Sequence, residues 1–168
     1  MPTIHARVGD VLYLHGSKGS RMLRRLRSGA ELCLTATLLD GLVLARSALH
    51  HSMNYRSVVV LGRAREVTDL GEKRLAMRAV VEHIVRGRFE DARQPSDREL
   101  EATFVLAIPL REASAKARTG PPLDDEEDYA LPVWAGALPL KIAPQEPVPD
   151  ARLAAEVPVP EYVERYER

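Results

Sequence analysis

The amino-acid sequence predicts a mainly β fold with flanking helices, an α+β arrangement in which about five or six antiparallel strands form a small barrel. Three observations support this fold class. Apolar, strand-forming runs are separated by pairs of turn residues, one later run alternates large apolar with smaller residues, and only two segments have apolar residues at helical spacing. The 168 residues are enough for one such core without disulfides or metals.

The first elements are a hairpin and a short helix. Residues 4–8 and 11–15 are strand-forming runs on either side of Gly9-Asp10, a pair typical of turns. Residues 21–28 then place Met22, Leu23 and Leu26 inward and their arginines mostly outward, and Gly29 ends the helix.

The next elements are predicted as a second hairpin followed by a long strand. Residues 32–39 and 42–48 are apolar, and the Asp40-Gly41 pair between them suits a two-residue type I′ turn. Residues 55–67 form the following strand, in which Gly62 indicates a bulge or a close backbone approach.

A helix and a half-buried strand come next. Apolar residues at i, i+3, i+4 and i+7 spacing predict a helix over residues 70–85, and Gly87 stops it. Alternation over residues 102–110 predicts a strand with one buried face. The alternating residues are Ala102, Phe104, Leu106, Ile108 and Leu110, with smaller or more polar residues between them.

The chain becomes irregular after Lys116. The acidic run at residues 124–128 lacks the ligand spacing of an EF-hand and is interpreted as a solvated loop. From Pro144 onward proline and charge dominate, which predicts an extended tail without its own core. The predicted organisation is therefore one domain over residues 1–143 and a tail over residues 144–168.

Composition limits the function classes. The 24 basic and 24 acidic side chains balance, which disfavours a general affinity for nucleic acid or anionic lipid. A single cysteine, Cys33, cannot form an internal disulfide and lies in an apolar run, where core packing is expected. No apolar run reaches the roughly 20 residues of a membrane helix and no signal peptide is visible, so we expect a soluble cytoplasmic protein with neither membrane nor nucleic-acid partners.

The first chemical candidate is the junction between the second strand and the first helix. His15-Gly16-Ser17-Lys18-Gly19-Ser20-Arg21 combines a strand end, two glycines, two hydroxyls and two cations, which suits a phosphate. An ordinary helix capped by Ser20, with solvated cations, explains the same residues. The further arginines of this helix leave nucleic-acid contact as a third, weaker interpretation.

The second candidate is a polar cluster between two strands. Asn54, Tyr55, Arg56 and Ser57 could donate hydrogen bonds to a planar heterocycle or a phosphate, and a plain loop is the alternative. The adjacent His50 and His51 would point to opposite faces of a strand, so no metal site is expected.

Five blocks in a fixed order carry a resemblance to a known family. They are VLYLHGS at residues 11–17, SR at 20–21, CLTATLLDGLVLARS at 33–47, NYRSVVV at 54–60 and VWAG at 133–136. Together they resemble the flavin-nucleotide-binding branch of the pyridoxamine 5′-phosphate oxidase-like superfamily, which includes nitroimidazole-resistance reductases. The resemblance covers residues 2–140.

This resemblance implies an FMN-binding split barrel that works as a homodimer, with FMN in a groove between the subunits. It implies a flavin-dependent oxidoreductase that takes electrons from a reduced nicotinamide donor and passes them to an unidentified small molecule, or alternatively a non-catalytic flavin-binding or storage module. Family members begin with a helix and at least one strand before the segment equivalent to residues 2–5. This chain is therefore expected to lack the N-terminal helix and first strand.

The resemblance also implies which residues contact FMN. The phosphate and the adjoining ribityl chain or ring edge would be bound by His15, Ser17, Ser20 and Arg21. The isoalloxazine would be lined by Thr35, Ala36 and Thr37, and the same groove would receive Tyr55, Arg56, Ser57, Lys116 and Trp134. No catalytic residue is assigned, because the flavin itself carries the redox chemistry.

Overall fold

A computed structural model describes residues 1–167 of the chain. The backbone falls into two compact units. The first comprises Met1–Leu32, Gly62–Arg111 and Pro144–Arg168, and the second comprises Cys33–Leu61 and Glu112–Ala143. Each unit contains one four-stranded antiparallel sheet, so the predicted mainly β fold class is confirmed.

The described residues form eight strands, five α-helices and a 3₁₀ helix at Glu126–Ala130. The strands are β1 (His5–Val8), β2 (Val11–Ser17), β3 (Glu31–Leu44), β4 (Ser52–Arg63), β5 (Arg65–Glu66), β6 (Thr103–Pro109), β7 (Glu112–Arg118) and β8 (Gly136–Pro139). The helices are α1 (Arg21–Arg27), α2 (Leu70–Ile84), α3 (Arg88–Asp91), α4 (Asp97–Ala102) and α5 (Glu161–Glu164).

The sheet of the first unit has the order β1-β2-β6-β5. The predicted hairpin at Gly9 is confirmed, with Val8 paired to Val11 and Gly9 at a φ of +56°. Strand β2 continues beyond the predicted end to Ser17, which lies opposite Thr103 of β6.

Strand β6 is the centre of the core in this unit. All five residues from Phe104 to Ile108 are buried, so the expected single buried face is wrong. The reason is α2, whose Ala76 packs with Val105, Ala107 and Tyr13 and covers the face that alternation assigned to solvent. Helix α2 itself lies at Leu70–Ile84, as its spacing predicts, with Asp69 as its N-cap.

The sheet of the second unit has the order β7-β4-β3-β8 and contradicts the second predicted hairpin. Strand β3 runs without a turn through Asp40 and Gly41, and Gly41 does not have a positive φ. Its partner is β8, since Gly41 lies opposite Pro139. A Cβ on Gly41 would stand 3.0 Å from the Leu138 carbonyl oxygen, so the glycine permits close strand approach and makes no turn.

Several other expectations are corrected. Cys33 is exposed on β3, with its Sγ 3.8 Å from Thr35 Oγ1, so the predicted core packing is wrong. The long strand over residues 55–67 is divided at Ala64 into β4 and β5, and Gly62 before the break has a φ of +151°. The region after Lys116 is less irregular than expected, because it includes β8 and the 3₁₀ helix.

The C-terminal tail groups with the first unit. Residues 144–159 are exposed, but the tail also forms the short helix α5, which the sequence did not predict. Tyr162 of α5 donates a hydrogen bond from its hydroxyl to Asp91 (2.7 Å) and accepts one from Arg88 (3.1 Å). These contacts anchor the end of the tail beside α3. Among residues 1–167, no helix combines the length and apolar character needed to cross a membrane.

Candidate functional site

The junction between β2 and α1 lies entirely within the first unit. His15 is partly buried near the end of β2, and its Nδ1 is buried without a hydrogen-bond partner among the described residues. Burial lowers the pKa of this imidazole below its ordinary value. The ring is therefore neutral at pH 7, and one nitrogen can donate while the other accepts.

The residues after His15 bring two hydroxyls and a cation to the same turn. Ser17 Oγ accepts the Gly19 N–H (3.1 Å), and Ser20 Oγ accepts the Leu23 N–H (3.3 Å) as the N-cap of α1. The capping interpretation of Ser20 is thus confirmed, yet its hydroxyl proton still has no assigned acceptor within residues 1–167.

Arg21 begins α1 and is exposed. In the described part of the chain its guanidinium forms no ion pair or hydrogen bond, and the first turn of α1 contains no acidic residue. By contrast, Arg27 at the end of the same helix is paired with Glu66 (2.6 Å). The positive charge at the start of α1 is therefore available to an anion.

A groove that the sequence did not predict borders this helix. Its volume is about 490 Å³, and it is lined by Met22, Arg25, Leu26, Gly29, Ala30, Glu31 and Arg63. Sequence reasoning assigned Met22 and Leu26 to the core, whereas the structure leaves both half-buried at the groove. The one feature of the sequence that could have indicated this groove is a pair of i, i+4 repeats, Arg21-Arg25 beside Met22-Leu26.

In the second unit, three of the predicted residues form a polar row across the sheet. Thr37 of β3 and Ser57 of β4 share a hydrogen bond between their hydroxyls (2.8 Å). Ser57 lies opposite Lys116 of β7. Directly opposed residues on neighbouring strands share a face, so Thr37, Ser57 and Lys116 lie on one face of the sheet.

Arg56 and Ala36 lie on the other face, because successive residues of a strand alternate. The Arg56 guanidinium forms a two-pronged bond to Asp40 (2.8 and 2.9 Å), and this hydrogen bonding lowers the pKa of the Asp40 carboxyl. The residues predicted to contact the isoalloxazine ring therefore lie on two opposite faces of the sheet. Arg56 is already bound to the Asp40 carboxylate.

The other predicted residues of this unit are Tyr55 in β4, Thr35 in β3 and Trp134 just before β8. Tyr55 is half-buried opposite Arg118, and Thr35 shares the face of Thr37 by the same alternation. Trp134 is 68% exposed, and its ring edge lies 2.9 Å from the position that a Cβ on Gly136 would take.

The acidic run contains an unexpected buried carboxylate. The Asp124 side chain has no exposed surface, so its interpretation as a solvated residue is wrong. Burial alone raises its pKa, but hydrogen bonds from the Ser47 N–H, the Arg46 guanidinium and the Arg46 N–H outweigh burial and lower it. His50 and Asp128 have ligand atoms within 4.8 Å of this group, and Arg46 already neutralises the buried charge.

Two four-stranded antiparallel sheets, with the orders β1-β2-β6-β5 and β7-β4-β3-β8, define a protein of the split-barrel class. The sequence pattern described as pyridoxamine 5′-phosphate oxidase matches residues 1–117. The chain therefore belongs to the pyridoxamine 5′-phosphate oxidase family, as its resemblance predicts. No curated protein matches it.

Solved structures extend this assignment. The chain is similar to the flavocytochrome Anf3 from Azotobacter vinelandii, with 44% identity over 99% of this chain and 78% of that one and a TM-score of 0.91. It is also similar to an FAD and heme binding protein from Mycobacterium smegmatis, with 37% identity over 98% and 80% of the two chains and a TM-score of 0.92.

A third structure shares the fold alone. It belongs to a putative 5-nitroimidazole antibiotic resistance protein from Bacteroides thetaiotaomicron, with 23% identity over 68% of this chain and 66% of that one and a TM-score of 0.56.

Proposed function

We propose that the chain binds a flavin and acts as a flavin-dependent oxidoreductase on a small molecule. The observation that carries this proposal is the β2–α1 junction. There, an unpaired Arg21, a hydroxyl proton of Ser20 and the partnerless buried Nδ1 of His15 fit an anionic cofactor. Names of relatives at 44% and 37% identity, a flavocytochrome and an FAD and heme binding protein, support a flavin as that cofactor.

Three side chains of the junction, those of Arg21, Ser20 and His15, have separate roles in this proposal. Arg21 binds phosphate oxygens through its planar guanidinium, which matches two oxygens at once. Ser20 donates its hydroxyl proton to the same anion while still accepting the Leu23 N–H. His15 stays neutral and offers a hydrogen bond to the cofactor without adding charge.

The polar row of the second unit supplies the proposed contacts to the isoalloxazine. The hydroxyls of Thr37 and Ser57 and the ammonium of Lys116 share one face. Hydrogen-bond donors and a positive charge near a flavin ring tune its reduction potential, while the bound flavin supplies the electron transfer itself. This set rests on the family resemblance and is tested separately from the junction by substituting Thr37, Ser57 and Lys116.

The identity of the flavin is part of the proposal. The sequence resemblance implies FMN, whereas a relative matched over 98% of this chain is named for FAD. Mass spectrometry of the flavin released from the purified protein distinguishes the two.

The test of the junction is Arg21→Ala. Loss of one charged phosphate contact is expected to cost about 1.5–3 kcal/mol of flavin binding. Affinity is measured by quenching of flavin fluorescence on titration of deflavinated protein. Arg98→Ala, which removes another exposed cation, is the matched control and should leave affinity unchanged. Equal affinities of Arg21→Ala and the unmodified protein contradict the proposed role of Arg21.

The alternative within the same proposal is a flavin-binding or storage module without turnover. Steady oxidation of NADH or NADPH by the flavin-loaded protein, in the presence of an acceptor such as a quinone or nitroimidazole, rules out the module. Flavin binding without any such turnover favours it.

Haem is a second candidate ligand, because the names of both near-full-length relatives include a cytochrome or heme. An axial histidine must be neutral, and burial lowers the pKa values of His5 and His15. Titration with hemin, followed by the Soret band, tests the proposal. His5→Ala and His15→Ala are compared with His51→Ala as the exposed control. A Soret band that is the same in all three variants excludes His5 and His15 as ligands.

We also propose a homodimer. Leu38, Val58 and Leu138 lie on one face of the second sheet and are 46%, 41% and 50% exposed. Exposed apolar residues that are grouped on one face mark an interaction site when they form a large contiguous patch.

A further inference from the structure

We propose that the groove beside α1 binds the adenosine monophosphate half of FAD, which makes this chain selective for FAD over FMN. The inference rests on the proposed flavin function and concerns Arg25, Met22 and Leu26, which the family resemblance does not assign. It places a second phosphate contact and a heterocycle within the first unit, about one helical turn from Arg21.

The helix geometry brings two guanidiniums onto one stripe. Arg21 and Arg25 are four residues apart, so their Cα atoms are separated by about 6 Å along the helix axis and project from nearly the same side. Neither forms an ion pair among residues 1–167. Two adjacent unpaired cations match a pyrophosphate, whose two phosphates share a bridging oxygen, better than they match a single phosphate.

The neighbouring stripe of the helix is apolar. Met22 and Leu26 are also four residues apart and form the wall of the groove next to Arg25. The groove volume of about 490 Å³ lies within the range of roughly 300–1,000 Å³ that is usual for small-molecule sites. A flat heterocycle can pack on these side chains while the phosphate beside it binds Arg25.

The charged residues across the groove from α1 do not repel a phosphate ligand. Arg63 donates to the Gly29 carbonyl oxygen (2.9 Å) and to Glu31 Oε1 (3.0 Å), so the carboxylate that borders the groove is neutralised. The remaining Glu31 oxygen is an acceptor suited to an exocyclic amine such as that of adenine. The lining therefore provides a cation for phosphate, an apolar wall and a hydrogen-bond acceptor.

The experiment compares FAD and FMN affinities of deflavinated protein carrying Arg25→Ala, with Arg98→Ala as the matched control. We expect Arg25→Ala to weaken FAD binding at least about tenfold and FMN binding less than about twofold, since only FAD carries the second phosphate and the adenine. Equal weakening of both flavins, or unchanged FAD affinity, overturns the inference.

A second measurement uses AMP as the probe. AMP should compete with FAD for the unmodified protein and should bind together with FMN, because the groove is separate from the Arg21 phosphate contact. Competition of AMP with FMN overturns the inference, as do equal affinities of the unmodified protein for FAD and FMN. In those cases flavin binding itself stands, whereas failure to bind either flavin overturns both the inference and the proposed function.

Discussion

Lys73 is a buried charged residue of α2, with only 6% of its surface exposed. Its ammonium donates to the Leu100 and Thr103 carbonyl oxygens (2.7 and 2.9 Å), at the end of α4. The Leu100 carbonyl oxygen also accepts the Thr103 N–H at the C-cap of α4, so the ammonium is an additional donor to it. A buried lysine is thus explained by backbone acceptors that sequence reasoning could not locate.

We predict that Lys73→Met destabilises the protein by about 1–3 kcal/mol, because two carbonyls lose a charged donor while the aliphatic volume is kept. Urea unfolding followed by circular dichroism measures the change. Lys141→Met, at an exposed position, is the control. An unchanged midpoint for Lys73→Met would show that water or another donor replaces the ammonium.

His5 of β1 makes stability depend on pH. Its ring lies 5.5 Å from that of His83 of α2, centroid to centroid, and burial first and His83 second lower its pKa. The unfolded chain then binds a proton more readily than the folded one, so the stabilising contribution is complete above about pH 6.5 and is lost as the pH falls through the lower folded pKa.

His5→Gln should accordingly reduce the loss of melting temperature between pH 7.5 and pH 5. His51→Gln, at an exposed residue of the second unit, should not. Differential scanning fluorimetry at the two pH values measures both. If His5→Gln keeps the full acid sensitivity, other groups cause it.

At the scale of elements, the strand pair β3–β8 depends on a glycine. Gly41→Val is expected to displace β8, since a Cβ would contact the Leu138 carbonyl oxygen at 3.0 Å and backbone cannot move aside as a flexible side chain can. Leu39→Val, at an exposed position of the same strand, is the control for β-branching.

Hydrogen exchange of the β8 amides is the measurement. Gly41→Val should lose protection at the amides of residues 136–138, whereas Leu39→Val should retain it. Equal protection in both variants would mean that the sheet accommodates the added side chain.

The elements differ in how well the sequence predicted them. Helix α2 was predicted within one residue, because its apolar spacing is a local signal. The Asp40-Gly41 pair misled the prediction, since a turn signal is local but β8, its actual strand partner, lies about a hundred residues away. The short helix α4, which was not predicted, begins with a capping box at Ser96 and Glu99, and this is also a local signal.

At the scale of the whole molecule, the exposed apolar face of the second sheet predicts association. Val58→Asp places a charge on this face and should convert the proposed homodimer to a monomer, because an unpaired carboxylate in an interface is strongly disfavoured. Leu75→Asp, on the exposed side of α2, is the control and should leave the mass unchanged.

Size-exclusion chromatography with light scattering gives the mass of each variant. A monomeric unmodified protein at all concentrations would contradict the homodimer, and a dimeric Val58→Asp variant would place the interface elsewhere.

The sequence by itself determined the mainly β class, the family, the first hairpin, the helix α2 and the strand–helix junction between His15 and Arg21. These depend on periodicity, on caps and turns, and on short blocks of sequence, all of which are local along the chain. Tertiary structure alone decided that β6 is buried on both faces and that Asp124 is buried beside Arg46. It also decided that Arg56 is held by Asp40 and that a groove opens beside Arg25. The reason is that burial and ion pairing join residues distant in sequence, and neither leaves a periodic trace in any single segment.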